Sequence, residues 1–530
     1  MLQTKRSYRG MVTAPHHLAA QAGLSVLSDG GNAIEAMIAA AAAIAVVYPH
    51  MNGLGGDGFW LIARPGSTPI GIQACGRAAI AAGRSWYRDR GYASIPDRGP
   101  QSALTVAGTV GGWLKAHDIS RLQYGGRLPT SRLLQDAIRY AWEGVPVPRT
   151  LHENITNKRL ELENVSGFSK VYLPDGAPLT VGSRLRQPRV ADTLARLSQA
   201  GLSDFYRGDL ARSMAADLEK ADSPLRLVDL ENCQATVVAP LSLDVGGHKV
   251  FNMPPPTQGL ASLLILGIYA RGAIEEADSC DHLHRLVECT KAAFRIRNRY
   301  VTDPDYMQRP AAEFLTESSV TELEKTVRAD RAAPWPDTPA KGDTVWLAAT
   351  DHTGLSVSFI QSVYWEFGSG FILPETGVTW QNRGTSFSLD ENGANPLEPG
   401  RFPFHTIQPA MASLSDGRLM SYGAMGGEGQ PQTQAAIFTR HVMHGQDLQS
   451  AITAPRWLLG RTWGAEDNNL KMESRFDPAV VKKLRALGHD IEIVGAFEEI
   501  MGHAGAIVRH TDGLMEGAAD PRSDGVVAAR

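Results

Sequence analysis

A layered protein of helices and sheets is predicted by three features of the chain. Helical patterning prevails from Pro15 to Tyr300, interrupted by short apolar runs. Strand patterning takes over at Thr344, and the last segment alternates a helix with strands. The 530 residues are 43% hydrophobic and 20% charged, the composition of an ordinary globular protein with ample core. That length equals three or four ordinary domains or one large sandwich.

Composition also narrows the partners. The 52 basic and 56 acidic residues give a net charge of −4 and form no basic block, so neither nucleic acid nor anionic membrane is expected. The polar start, Met1 to Gly10, is not followed by an apolar targeting segment. The one long apolar run, Ala36 to Val47, is too short to span a bilayer and reads as a buried helix. Four cysteines (Cys75, Cys233, Cys280, Cys289) lack metal-ligand spacing and are few for this length. A cytoplasmic protein with reduced thiols, and with no metal or cofactor, is expected.

The elements follow in order. Pro15 to Val47 reads as two helices broken at Asp29-Gly30-Gly31, the second opened by an Asn32/Glu35 capping box. Asn52-Gly53-Leu54-Gly55-Gly56-Asp57-Gly58 precedes the apolar run Phe59–Ala63. No strand leads into that loop and no helix leaves it, so its glycines read as close backbone packing, not as a phosphate cradle. Helices are predicted from Trp113 to Tyr124 and Arg132 to Gly144, and helices with connectors from Ile155 to Glu231. A weak strand, Val250–Asn252, enters Met253-Pro254-Pro255-Pro256 and an apolar helix from Leu260. A further helix covers His282 to Tyr300, and the end of the chain holds a helix from Pro478 to Leu487 with strands near Ile491–Val494 and Ala506–Val508.

The bond between Asp343 and Thr344 stands out. A loop with three prolines, Pro334, Pro336 and Pro339, leads to Lys341-Gly342-Asp343. Val345–Ala349 is then apolar, Asp351-His352-Thr353-Gly354 has turn chemistry, and Leu355–Ile360 alternates as a strand does. Thr344 therefore opens a hairpin behind a loop, where a threonine meant to become a new N-terminus would sit. A threonine hydroxyl is a weak nucleophile, and the α-amine of the same residue, with a pKa of about 7.7–8.0, can act as its base.

Taken together and in this order, the segments resemble the γ-glutamyltransferase family of N-terminal-nucleophile hydrolases. The likeness spans nearly the whole chain. It is carried by Gly30-Gly31-Asn32-Ala33, the Gly53–Gly58 loop, Met253-Pro254-Pro255-Pro256 and Thr344 with its hairpin to Asp351. Phe367-Gly368-Ser369-Gly370, Gly426-Gly427, Ala454-Pro455-Arg456 and Asp520-Pro521-Arg522-Ser523 complete it. The resemblance implies an α+β fold, a four-layer αββα sandwich made as one precursor. It implies self-cleavage into a large subunit, 1–343, and a small subunit, 344–530, which stay associated and leave a dimer of heterodimers open. Thr344 would be the nucleophile, the N–H groups of Gly426 and Gly427 the oxyanion hole, and Gly342 the residue that lets the precursor loop strain before cleavage. The prolyl tail would then swing aside.

The likeness weakens where the family binds the γ-glutamyl group. The arginine of an Arg-Glu-x-Ala-Pro segment becomes Cys75, with Arg77 two residues later. Thr-x-Asn becomes Ser362-Val363-Tyr364, the ammonium-binding aspartate becomes Ser386, and paired serines become His405-Thr406. A desolvated ammonium needs a carboxylate, whereas Arg77, Arg383 and His405 offer positive or donor groups and Tyr364 narrows the pocket. These departures resemble the oxamate amidohydrolase branch, with a small anionic amide as substrate. A glutathione hydrolase, an acylase for bulkier amides and a catalytically dead binding homologue are the alternatives. A metallohydrolase is the remaining rival; its histidine clusters, His16-His17 and His282-Leu283-His284, lack helix-spaced acidic partners as read from the sequence.

Overall fold

The computed structural model describes residues 2–335, 343–393, 395–460 and 468–530. Two seven-stranded sheets, antiparallel throughout, lie face to face. The first runs Val526–Ala529, Gly10–Ala14, Asp343–Asp351, Ser356–Tyr364, Asp57–Ala63, Ile70–Ala74, Thr236–Val238. The second runs Lys5–Ser7, Met515–Ala519, Ala504–Arg509, Leu419–Ala424, Ala410–Ser413, His248–Asn252, Leu241–Val245. Met11, Phe59, Leu61, Phe251, Trp346 and Ile507 fill the space between them. The Trp346 indole fits because its neighbours lack side chains: a Cβ on Gly423 would lie 2.3 Å from it.

Helices cover both outer faces. His17–Ser28, Ala33–Val47 and Thr109–Gln123 pack on the first sheet, and Gly259–Tyr269 and Gly429–Phe438 on the second, with Cys280–Tyr300 packed over those two helices. This is the αββα order the resemblance implies. Both sheets contain strands from before and after Thr344, so a break there removes no layer. Among the described residues no helix is long and apolar enough to cross a membrane.

Local chemistry accounts for the elements nearest the hairpin. The alanine-rich helix Ala33–Val47 is buried along its whole length. Its capping box forms as expected: Asn32 Oδ1 accepts from the N–H groups of Ile34 and Glu35, and Glu35 Oε2 accepts from Asn32 N at 2.9 Å. The glycine loop packs as expected too, since a Cβ on Gly55 would meet Thr379 O at 2.2 Å and one on Gly56 would meet Ser362 O at 2.2 Å.

One helix boundary is corrected, and the strand expected near Ile491–Val494 is present. The helix predicted from Trp113 begins at Thr109, because Gly111-Gly112 is not a loop: a Cβ on Gly112 would lie 2.7 Å from Ala74 Cβ, so glycine lets the helix rest on the strand. The Ile491–Val494 strand joins neither main sheet but pairs in parallel with Leu470–Glu473 in a separate three-stranded sheet. Lys341, Gly342 and Pro336 to Pro339 lie outside the described residues.

Gly56→Ala is expected to lose about 2–3 kcal/mol, because backbone sits where the new methyl group would go. Gly53→Ala is the control, its nearest neighbour being 3.6 Å away. A thermal midpoint unchanged in Gly56→Ala would refute this account of the loop.

Candidate active site

The hairpin is regular except at its open end. Pairing runs in register from Thr350 opposite Ser356 to Val345 opposite Gln361, but Asp343 faces Tyr364. Thr344 alone therefore opposes two residues, Ser362 and Val363, a bulge that bends the strand at the residue expected to be the nucleophile. Ser362 Oγ accepts from Tyr364 N at 2.8 Å, and Tyr364 takes a φ of 85°, a conformation bulky side chains adopt only at a cost of about 1–3 kcal/mol. The other end is latched. Asp351 Oδ1 accepts from Thr353 N and Leu355 N, and Oδ2 accepts from Ala33 N at 3.0 Å.

Thr344 is fully buried. Gln430 Nε2 donates to Thr344 Oγ1 at 3.3 Å. Gln430 lies in the first turn of the Gly429–Phe438 helix, directly after Gly426 (φ 115°) and Gly427 (φ 51°). Consecutive positive φ values need glycine here. Among the described residues neither glycine N–H is taken up by a backbone carbonyl. The pair thus offers donors at a positive helix end, the chemistry an oxyanion needs.

Gln258, the last residue of the prolyl turn, fastens this loop. Its Nε2 donates to Gly427 O at 2.8 Å and to Thr406 O, while its Oε1 accepts from Arg297 Nη1 at 2.9 Å. Arg297 in turn forms a buried ion pair with Glu428. Thr406 Oγ1 accepts from Arg383 Nη1 at 3.2 Å. The Arg383 guanidinium lies 4.0 Å above the Tyr364 ring, fully buried, with Nε and Nη2 unpartnered. Burial lowers its pKa only to about 10, so it stays charged near neutral pH. His405 packs edge-on against Phe59 at 5.1 Å; burial holds it well below its usual value and hence neutral.

Of the residues singled out from sequence, Thr344, Gly426, Gly427, Ser362, Tyr364, Arg383, His405 and Thr406 are linked in this way. Arg77 is not. Its side chain is 46% exposed, pairs with Asp303 at 3.4 Å and Asp305 at 3.6 Å, and stacks on Phe402 at 3.8 Å. Those partners engage its charge. The Asp343 side chain lies outside the description.

Three polar residues escaped notice: Gln258, Gln430 and Asp57. Asp57 is fully buried, and its Oδ1 accepts from Gly76 N at 3.2 Å and Gly108 N at 2.9 Å. Its signal was an acid set among four glycines.

The metal rival also needs correcting. His284 does have a helix-spaced acidic partner, Glu288, and with His489 their ligand atoms lie within 4.8 Å of one another. These atoms are spoken for, however. His284 Nδ1 and His489 Nε2 share a hydrogen bond of 2.8 Å, and Glu288 accepts from Lys291 Nζ at 2.7 Å and Ala333 N at 3.0 Å. The cluster ties down the start of the lead-in loop.

A family model described as Gamma-glutamyltranspeptidase matches residues 19–530. An oxamate amidohydrolase proenzyme from Klebsiella pneumoniae is 52% identical over 98% of both chains. A glutathione hydrolase-like proenzyme from Bacillus subtilis is 40% identical over 97% of both. The crystal structure of a cephalosporin acylase from Bacillus halodurans superposes with a TM-score of 0.92 at 34% identity, covering 100% of this chain and 97% of that one. The fold is therefore that of the N-terminal-nucleophile hydrolases, and the chain belongs to the gamma-glutamyltranspeptidase family as an amide-cleaving hydrolase.

Proposed function

We propose that the chain cuts itself between Asp343 and Thr344, giving subunits 1–343 and 344–530, and that Thr344 then hydrolyses oxamate to oxalate and ammonia. The observation that carries the substrate reading is Arg383. A fully buried guanidinium with Nε and Nη2 unpartnered, stacked on the residue that pairs with Asp343, is a receptor for a small carboxylate. The Klebsiella relative's name supports the same substrate. The free state of the four cysteines suits a reducing compartment such as the cytoplasm.

The chemistry runs in two rounds. In the precursor Thr344 Oγ attacks the carbonyl carbon of Asp343, the peptide C–N bond breaks, and water hydrolyses the resulting ester. This frees the Thr344 α-amine. With substrate bound, that amine takes the Oγ proton as Oγ attacks the amide carbon. The N–H groups of Gly426 and Gly427 stabilise the oxyanion, each by about 2.7–4 kcal/mol. The C–N bond breaks, the leaving nitrogen takes the proton, and ammonia departs. Water then hydrolyses the acyl ester, and the substrate carboxylate remains on Arg383 throughout.

One observation favours the γ-glutamyl alternative. Asp57 is a buried carboxyl in the same neighbourhood, and an acid is what a substrate ammonium requires.

Purified protein is expected as two chains with Thr344 at the new N-terminus. Thr344→Ala should remain one chain and lose activity by about 10³-fold or more, while Thr344→Ser should retain part of both functions. Mass analysis decides it, and an alanine variant that still matures would move the nucleophile elsewhere.

Arg383→Met should raise KM for oxamate by about 10²-fold, the loss of a bidentate charge-assisted contact, without blocking maturation. Wild-type kcat/KM should favour oxamate over a γ-glutamyl anilide by about 10²–10⁴. The reverse preference would transfer the ammonium-binding role to Asp57 and end the oxamate reading.

A further inference from the structure

Asp57 opens the Asp57–Ala63 strand and pairs with Ser362, one of the two residues opposite Thr344. Its loop-anchoring bonds to Gly76 and Gly108 use Oδ1 alone. Oδ2 takes no part in those bonds: it lies 3.7 Å from His405 Nε2, and the Gln381 side chain is the other polar group beside the carboxyl. An anchor would need only the first oxygen and no charge, and an asparagine would serve it equally. The carboxyl is therefore left with a second function.

We propose that Asp57 is a positioning residue that sets the charge of the anion subsite through Arg383: protonated, it leaves the guanidinium to the substrate carboxylate; ionised, it competes for it. An anionic substrate then binds together with a proton. This rests on the reading of Arg383 given above.

The groups around Asp57 leave few others to supply that effect. Arg383 is the cation that acts on it. His405 is neutral, and burial pushes the thiols of Cys75 and Cys233 and the phenols of Tyr206 and Tyr364 upwards, so all four also stay neutral at working pH. Gln381 beside it carries no charge. Burial raises Asp57 to about 7, against the pull of Arg383 and the Gly108 and Gly76 N–H groups. Near neutral pH the Asp57–Arg383 pair thus switches between one positive charge and none. A bound carboxylate stabilises the positive form and raises the Asp57 pKa further. Anion affinity is full below about pH 7 and falls above it, by at most tenfold per pH unit.

The Thr344 α-amine of the mature enzyme titrates at about 7.7–8.0 and could also take up a proton, so two measurements separate them. Titration calorimetry of the mature enzyme with oxalate, in two buffers of different ionisation enthalpy, should show proton uptake that is larger at pH 8 than at pH 6. In Asp57→Asn the uptake should fall by more than half, and oxalate affinity at pH 8 should rise about tenfold. Difference infrared spectra of the wild type at pH 8 should show the C=O band of a protonated carboxylic acid growing as oxalate binds, a signal the amine cannot give. Oxalate binding without that band, or with uptake unchanged in Asp57→Asn, overturns the proposal while leaving the oxamate reading intact. Failure of the mature wild type to bind oxalate or oxamate at all overturns both.

Discussion

The site depends on one mismatch in strand pairing. If Asp343 continued the register of Val345 and Gln361 it would face Val363, and Thr344 would be an ordinary ladder residue with its carbonyl and amide paired across the hairpin. Instead Tyr364 faces Asp343, and two residues oppose one. The cost is concentrated in the positive φ of Tyr364, and the surroundings hold it there. Ser362 Oγ takes the Tyr364 N–H, Gly56 lets the neighbouring strand approach the Ser362 carbonyl, and Asp351 latches the far end to the Ala33 helix. A hairpin fixed at both ends cannot relax its bulge by sliding, since a one-residue slip would turn every buried side chain to the opposite face.

Burial of charge is the second constraint. Arg297 and Glu428 are desolvated together, an arrangement whose attraction only roughly offsets its cost, yet whose rupture is expensive. The pair is best understood through what it holds: Arg297 orients Gln258, and Gln258 holds the carbonyls of Gly427 and Thr406. Arg383 differs in kind. It too is buried, but two of its nitrogens have no hydrogen-bond partner among the described residues, and the carboxyl that acts on it, Asp57, is one that burial raises to about 7. Arg132, Arg401 and Arg509 each leave one buried nitrogen without a partner among the described residues, whereas Arg383 leaves two.

What the sequence reveals and what it hides follow from the range of the interactions. The capping box at Asn32 and Glu35, the hairpin turn at Asp351 and the alanine helix are local, and each is legible from neighbours a few residues apart. Thr344 was legible because a change from loop to strand pattern is also local. Asp57 was not. It reaches the site only because its strand pairs with Ser362, a contact no periodicity encodes. The partners of Arg77 were hidden for the same reason: Asp303 and Asp305 lie more than two hundred residues away in the chain and meet it only through the fold. Glu288 illustrates the converse. Its helical spacing from His284 was present in the sequence, but His489, brought in by the fold, gave the cluster its meaning.

The Gln258 amide also bears on substrate length under the proposed reading. One nitrogen, Nε2, donates to the loop that carries the oxyanion donors and to the residue whose hydroxyl accepts from Arg383. Gln258 and Thr406 thus link by hydrogen bonds the loop where negative charge would develop to the arginine that would hold a carboxylate. An amide whose carboxylate is bonded directly to the reacting carbonyl carbon suits such a short span. In a γ-glutamyl amide several carbons lie between the two, and its carboxylate would have to be held farther from the reacting carbon. The same rigid connection explains why the anion subsite needs no closing loop to be organised. Its cation is fixed by stacking on Tyr364 and by Thr406 before substrate arrives, so little reorganisation is left for the moment of reaction.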